Sequence, residues 1–192
     1  TVGSGGASSI EFTSIPQTYT DLYVALSIRS ARADTDDQIL IDFNTYAGTN
    51  LSYRNLVGNG ASASSGNAST GIYVRIDAAN NTASTFTSAS FYIPNYTSSN
   101  YKSVSIDSAF ENNSTTAYLN MVAGLWSSTS AITKLKIYSA NSENIAQYST
   151  ATLYGVSIAG SSYSPKATGG IISVDGTYIY HTFLASGTFT PT

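Results

Sequence analysis

The chain has 192 residues, no cysteine, a net charge of −3 and only 10% charged residues, against about 25% in ordinary soluble domains. That length suits one domain with an appendage or two small domains, and a core large enough to need no disulfide or metal staple. The missing thiols exclude disulfides and thiolate metal sites, the acidic balance argues against a nucleic-acid binder that relies on phosphate contacts, and no run of about 18 apolar residues offers a membrane-spanning helix.

Residues 1–8, beginning Thr1-Val2-Gly3-Ser4-Gly5-Gly6, carry neither the basic nor the apolar region of a signal peptide and no initiator Met. The expectation is a trimmed piece whose start is a flexible docking arm. Residues 21–29 then alternate, with Leu22, Val24, Leu26 and Ile28 on one face and Tyr23, Ala25, Ser27 and Arg29 on the other. The pattern returns at Ile39, Ile41 and Phe43, at Ile72, Val74 and Ile76, at Phe91 and Ile93, and at Val104 and Ile106. It continues through Leu119, Met121, Ala123 and Leu125, then Leu135 and Ile137, then Tyr154, Val156 and Ile158.

Turn-forming clusters separate these runs at 46–50, 58–71, 80–85, 94–100 and 111–116. The stretch 58–71 is the longest low-complexity segment and reads as an exposed loop. About ten closely spaced strands with one apolar face predict an all-β, antiparallel two-sheet β-sandwich, of which a jelly roll is the favoured form. The sandwich is expected over 1–160 and a linker plus short C-terminal β appendage over 161–192. Within the appendage, Asp175-Gly176 and Ser186-Gly187 punctuate three short strands around 171–174, 178–183 and 188–189. Such a piece cannot bury a core alone, so residues 169–192 are expected to dock on something else.

Chemistry-bearing residues are few. His181 is the single histidine, and no nucleophile-elbow motif accompanies it. Asp42, Asp77 and Asp107 fall at positions expected to face solvent, without the paired carboxylates of a glycoside-cleaving site. Asp34, Asp36 and Asp37 are weak calcium candidates, because the run lacks the Gly and terminal Glu of an EF-hand loop. No catalytic residue, cofactor or other metal is expected. Tyrosine occurs 15 times, and Tyr46, Tyr53, Tyr73, Tyr96, Tyr101 and Tyr163 fall in or beside predicted loops. These six are candidates for contacts with a neighbouring subunit or with a glycan. Trp126 reads as core. Sequon matches at Asn67, Asn80, Asn95 and Asn113 are what chance produces in a chain rich in Asn, Ser and Thr.

Two passages carry a resemblance. One runs from Ser9-Ile10-Glu11-Phe12 through Tyr53-Arg54, Gly58-Asn59-Gly60 and Gly124-Leu125-Trp126 to Leu153-Tyr154-Gly155. The other runs from Gly169 through Tyr178-Ile179-Tyr180-His181-Thr182-Phe183 to Ser186-Gly187-Thr188-Phe189. The first resembles a domain that recurs in structural proteins of tailed bacteriophages. The second is similar to a cassette placed before a glycine-rich tip in phage fibres, a tip that is absent from this sequence. The resemblance implies a non-enzymatic virion protein, extracellular when mature: a tail fibre, an appendage or a capsid decoration. It also implies partners among other copies of the chain, in trimers, and among other virion proteins. Host surface glycan is an alternative partner, while nucleic acid and membrane insertion are not expected.

Overall fold

Serine, threonine and asparagine compete for the hydrogen bonds of a helix, whereas valine, isoleucine and tyrosine fit a pleated surface. Accordingly, every regular element among the described residues is a strand. The computed structural model describes residues 1–44, 50–113, 117–157, 167–174 and 178–191. It divides into a unit of Thr1–Ser157 and a unit of Ile158–Thr192.

In the first unit, β1 (Ser9–Phe12), β10 (Leu135–Ser139), β3 (Asp36–Phe43) and β6 (Tyr73–Asp77) make a four-stranded sheet in that order. A seven-stranded sheet has the order β11 (Thr150–Val156), β2 (Asp21–Ile28), β7 (Thr87–Ile93), β8 (Lys102–Phe110), β9 (Tyr118–Trp126), β4 (Leu51–Gly58) and β5 (Ala63–Ala68). All named pairings are antiparallel, and the sheets pack as a sandwich. The jelly-roll refinement is not established by this topology, since β7, β8 and β9 follow one another as a meander within a single sheet.

Burial along β2 and β8 is strictly alternating, so Leu22, Val24 and Ile28 enter the core with Val104 and Ile106. From the other sheet come Ile39, Ile41, Val74, Ile76 and Ile137, with the Phe43 ring tilted against Trp126 at 5.4 Å. Gly124 on β9 marks a close approach to the facing side: a Cβ there would lie 2.8 Å from Ile72 Cδ1.

Four expectations are corrected. Residues 58–71 are not all loop, because β5 pairs with β4 from Tyr53↔Ala68 to Gly58↔Ala63. Its serines and glycine give no apolar period, and the pairing is set instead by a tight turn in which Asn59 Oδ1 accepts from the amides of Ala61 and Ser62 and Gly60 takes φ 82°. The start is not a free arm. Val2 is buried and exchanges backbone hydrogen bonds with Tyr148 and Ser149, and Ala7 bridges Ile145. On β9 the inward residues are Asn120, Val122, Gly124 and Trp126, which leaves Leu119 and Met121 exposed. On β11 Ala151 and Leu153 pack on the core, so Tyr154 and Val156 face outward.

Of the three acids expected in solvent, Asp107 faces outward on β8, but the other two are inside. Asp77 and Asp42 are buried, as are Asp37 and Arg29. Strand β2 ends at Ile28, and Arg29 then forms a parallel bridge to Asp77 at the end of β6, where the two sheets meet. The guanidinium lies 3.5 Å from Asp77 Oδ2 and donates to the carbonyls of Thr82 (2.7 Å), Thr85 (2.8 Å), Asn81 (3.0 Å) and Ala79 (3.3 Å). Asp77 also accepts from Asn81 Nδ2 at 2.7 Å and from the Thr85 hydroxyl. Asp37 accepts from Ser30, Ser139, Asn141 and the Gln38 amide at 2.6–2.8 Å. A buried charge is tolerated only with this degree of pairing.

In the second unit β13 (Ile171–Val174) and β14 (Ile179–Thr182) form an antiparallel hairpin, and β12 (Ala167–Thr168) pairs with β15 (Thr190–Pro191). The His181 Nδ1 donates to the Gly169 carbonyl at 2.7 Å, and the ring meets Phe189 edge-on at 5.0 Å.

The seam generates a stability prediction. Asp77→Ala leaves the guanidinium buried beside no carboxylate and is expected to cost about 3–5 kcal/mol in urea unfolding. Glu11→Ala removes the exposed pair with Lys136 at 3.3 Å and should cost at most about 1 kcal/mol. Equal effects at the two positions would refute the seam's importance.

Candidate functional site

The sequence candidates do not converge. Tyr46 and Tyr163 lie outside the described residues. Tyr96 is withdrawn from solvent altogether at 0% exposure, its ring in the core and its hydroxyl donating to the Pro16 carbonyl. Tyr53 and Tyr73 meet each other in a tilted contact, half-buried, with ring centres 5.6 Å apart. Among the described residues of the six, only Tyr101 is exposed.

The acidic run is divided by the strand it enters. Asp36 and Asp37 are neighbours on β3 and so point to opposite faces. Asp37 is saturated by the seam, Asp36 pairs with Arg75, and Asp34 sits 3.0 Å from Arg32. Burial raises the Asp36 pKa against the lowering effect of Arg75. Among the described residues no group of three or more His, Asp or Glu could hold a metal ion. Lys102 is equally committed: its Nζ donates to the carbonyls of Ser98 and Asn100 at 2.6 Å and lies 5.8 Å from the Trp126 ring, and burial lowers its pKa.

What the fold does bring together is the outer face of the seven-stranded sheet. Because side chains alternate, the residues between the buried ones line up in rows across the strands. One row reads Tyr154, Tyr23, Tyr92, Ser105, Ala123, Arg54 and Asn67 from β11 to β5. The next reads Thr152, Ala25, Ser90, Asp107, Met121, Leu56 and Ser65. Beyond it Ala109, Leu119 and Gly58 are neighbours on β8, β9 and β4.

This face has two halves. At the β11–β2–β7 end Tyr23 and Tyr154 lie 6.2 Å apart. The Tyr92 hydroxyl donates to Asp21 Oδ2 at 2.6 Å, a bond that raises the Tyr92 pKa. At the β9–β4 end Leu56, Leu119 and Met121 are exposed by 52%, 58% and 59%. Two shallow depressions of about 390 and 320 Å³ lie along this half, one beside Leu119 and Gly58, the other around Leu56, Met121 and Ala123.

None of the exposed aromatics in these rows was among the sequence candidates. The signal was present in phase: Leu22 and Val24 inside place Tyr23 outside, and Phe91 and Ile93 inside do the same for Tyr92. No protein-family model, curated protein or solved structure matches the chain.

On the opposite sheet, burial and then the bond from its hydroxyl to Asp42 (3.0 Å) push Tyr138 from the ordinary phenol value of 10.0 up to about 12. The folded chain thus holds this proton more tightly than the unfolded one. The stability it contributes is intact below pH 10 and is lost as pH rises toward 12. In urea titrations across that interval, Tyr138→Phe is expected to flatten the decline of the midpoint; an unchanged slope would contradict this.

Proposed function

We propose that the protein is a non-enzymatic structural protein of a tailed-phage particle, in a tail fibre, an appendage or the capsid decoration. It acts through repeated contacts with copies of itself and with other virion proteins. The observation that carries this reading is the outer face of the seven-stranded sheet, broad, low in charge and furnished with exposed tyrosine, leucine and methionine. Interface cores favour such aromatic and Met side chains and are depleted in charge. Other features agree with it. Asp37 and Asp77 are engaged in holding the sheets together, and a surface with few charges is solvated by Ser, Thr and Asn. Modest contacts multiplied over many copies give an attachment far stronger than any single one.

A second reading, recognition of host surface glycan, is favoured by one observation, the row Tyr154–Tyr23–Tyr92 with Asp21 beside it. Open tyrosine faces with an adjacent carboxylate provide ring surface and a hydrogen-bond acceptor for a saccharide. This site differs from the loop tyrosines that the sequence suggested.

Two experiments separate the readings. Antibody against the chain is applied to purified particles and located by electron microscopy. Regular label over the head is expected for a decoration protein, label on the tail or its fibres for an appendage, and no label would overturn the virion reading. Saturable binding on a glycan array, weakened at least about tenfold by Tyr23→Ala with Tyr92→Ala, would favour the glycan reading; a flat array would remove it.

A further inference from the structure

We infer that the part of the outer face centred on β9, from β7 to β5, is where a second copy of this chain packs, face to face about a two-fold axis. The inference rests on the reading of the chain as self-assembling and deepens it by naming the surface and its symmetry.

The first argument is charge. Arg54 on β4 and Asp107 on β8 are the charged residues of the two central rows, and neither forms an ion pair among the described residues. The Arg54 guanidinium donates only to the carbonyl of its own neighbour Tyr53, at 3.1 Å, and Asp107 accepts from Ser90 at 2.7 Å. Register fixes their relation. Arg54 is level with Ala123 and Asp107 is level with Met121, on opposite sides of β9. The midpoint between the two charges therefore falls on β9, between the outward side chains of Met121 and Ala123. A two-fold axis lying in the face through that point, perpendicular to the line joining the charges, sets Arg54 of each copy against Asp107 of the other. The pairing occurs twice, as an isologous interface requires.

The second argument is what lies between the charges. Leu56 and Met121 stand beside the axis and Leu119 lies farther along β9, all more than half exposed. The central depression is lined by Arg54, Leu56, Ser105, Met121 and Ala123. The symmetry brings Leu56 and Met121 of one copy close to those of the other, flanked by the two charge pairs.

The third argument is area. Five strands centred on β9, at about 4.8 Å spacing and about eight residues of 3.3 Å, present roughly 600 Å². Two copies then bury about 1,200 Å², the lower edge for a specific, stable interface. The pair is accordingly weak alone and suited to reinforcement by repetition. It also differs from the trimer that the resemblance implies.

The test uses the full 192-residue chain in sedimentation velocity between about 1 and about 100 micromolar at low ionic strength. The wild type is expected to pass from monomer to dimer, and Met121→Arg to remain monomeric. Arg54→Asp and Asp107→Arg each set like charges together twice and should weaken the dimer at least about tenfold. The double reversal, Arg54→Asp with Asp107→Arg in one chain, should restore it. All three positions point to solvent, and circular dichroism verifies that each variant is folded. A wild-type monomer throughout, a trimer, a dimer indifferent to the reversals, or a double reversal that fails to recover would each overturn the inference. Label on particles with a monomer in solution would leave the assembly reading standing. A two-fold dimer with no label on particles would do the reverse.

Discussion

Arg29 carries a positive charge to the point where the two sheets converge, and the cost of removing it from water has to be offset there by Asp77 and four backbone carbonyls. Those carbonyls belong to residues 79–85, so one side chain sets the path of the connection from β6 to β7. Asp77 extends the constraint, since its amide donates to the Thr87 hydroxyl at the first residue of β7, and its carbonyl accepts from the Ser30 amide. The end of β2, the end of β6 and the start of β7 are thereby fixed together. With β7 fixed, Phe91 and Ile93 must enter the core, and Tyr92 must leave it. The outer face is in this sense a consequence of a buried charge on the other side of the sheet.

The amino-acid sequence made the sandwich legible wherever only one face of a strand is apolar. Strands β2 and β8 are of that kind, with tyrosine, alanine, serine or aspartate between their core residues. Strand β9 is not, because Leu119 and Met121 on one face compete with Val122 and Trp126 on the other, and alternation cannot rank two apolar faces. Strand β11 misled for the same reason, Tyr154 and Val156 being as apolar as Ala151 and Leu153. The β5 strand carries no side-chain pattern at all; its pairing is a backbone event set by the turn at Asn59 and Gly60. Nor could spacing reveal that Asp37 is buried, because its partners Ser139 and Asn141 lie about a hundred residues away in the chain.

The candidate site was hidden for a related reason. Abundant tyrosine announces that amphipathic rings matter, but loops and strand faces are equally good places for them. Tyr154, Tyr23 and Tyr92 become one surface only when β11 is known to lie beside β2 and β2 beside β7, and neither pair is consecutive in sequence. Tyr96, by contrast, sits in a connection yet is drawn into the core, because its hydroxyl reaches the Pro16 carbonyl while the ring displaces water.

The chemistry available to this surface is that of area. Its depressions are shallow, the buried carboxylates Asp37 and Asp77 are held by structural hydrogen bonds, and His181 is held to the Gly169 carbonyl in the second unit. A flat, rigid face gains affinity by removing water from leucine, methionine and tyrosine together, and it loses little side-chain entropy because the strands already hold those residues in register. A chain with few charges also raises little long-range repulsion between its own copies, so a contact of only modest area can still form. The same economy makes each contact reversible. A protein built this way holds firmly only when many copies bind at once, and that is the physical reason for preferring an assembly role over recognition of a single small ligand.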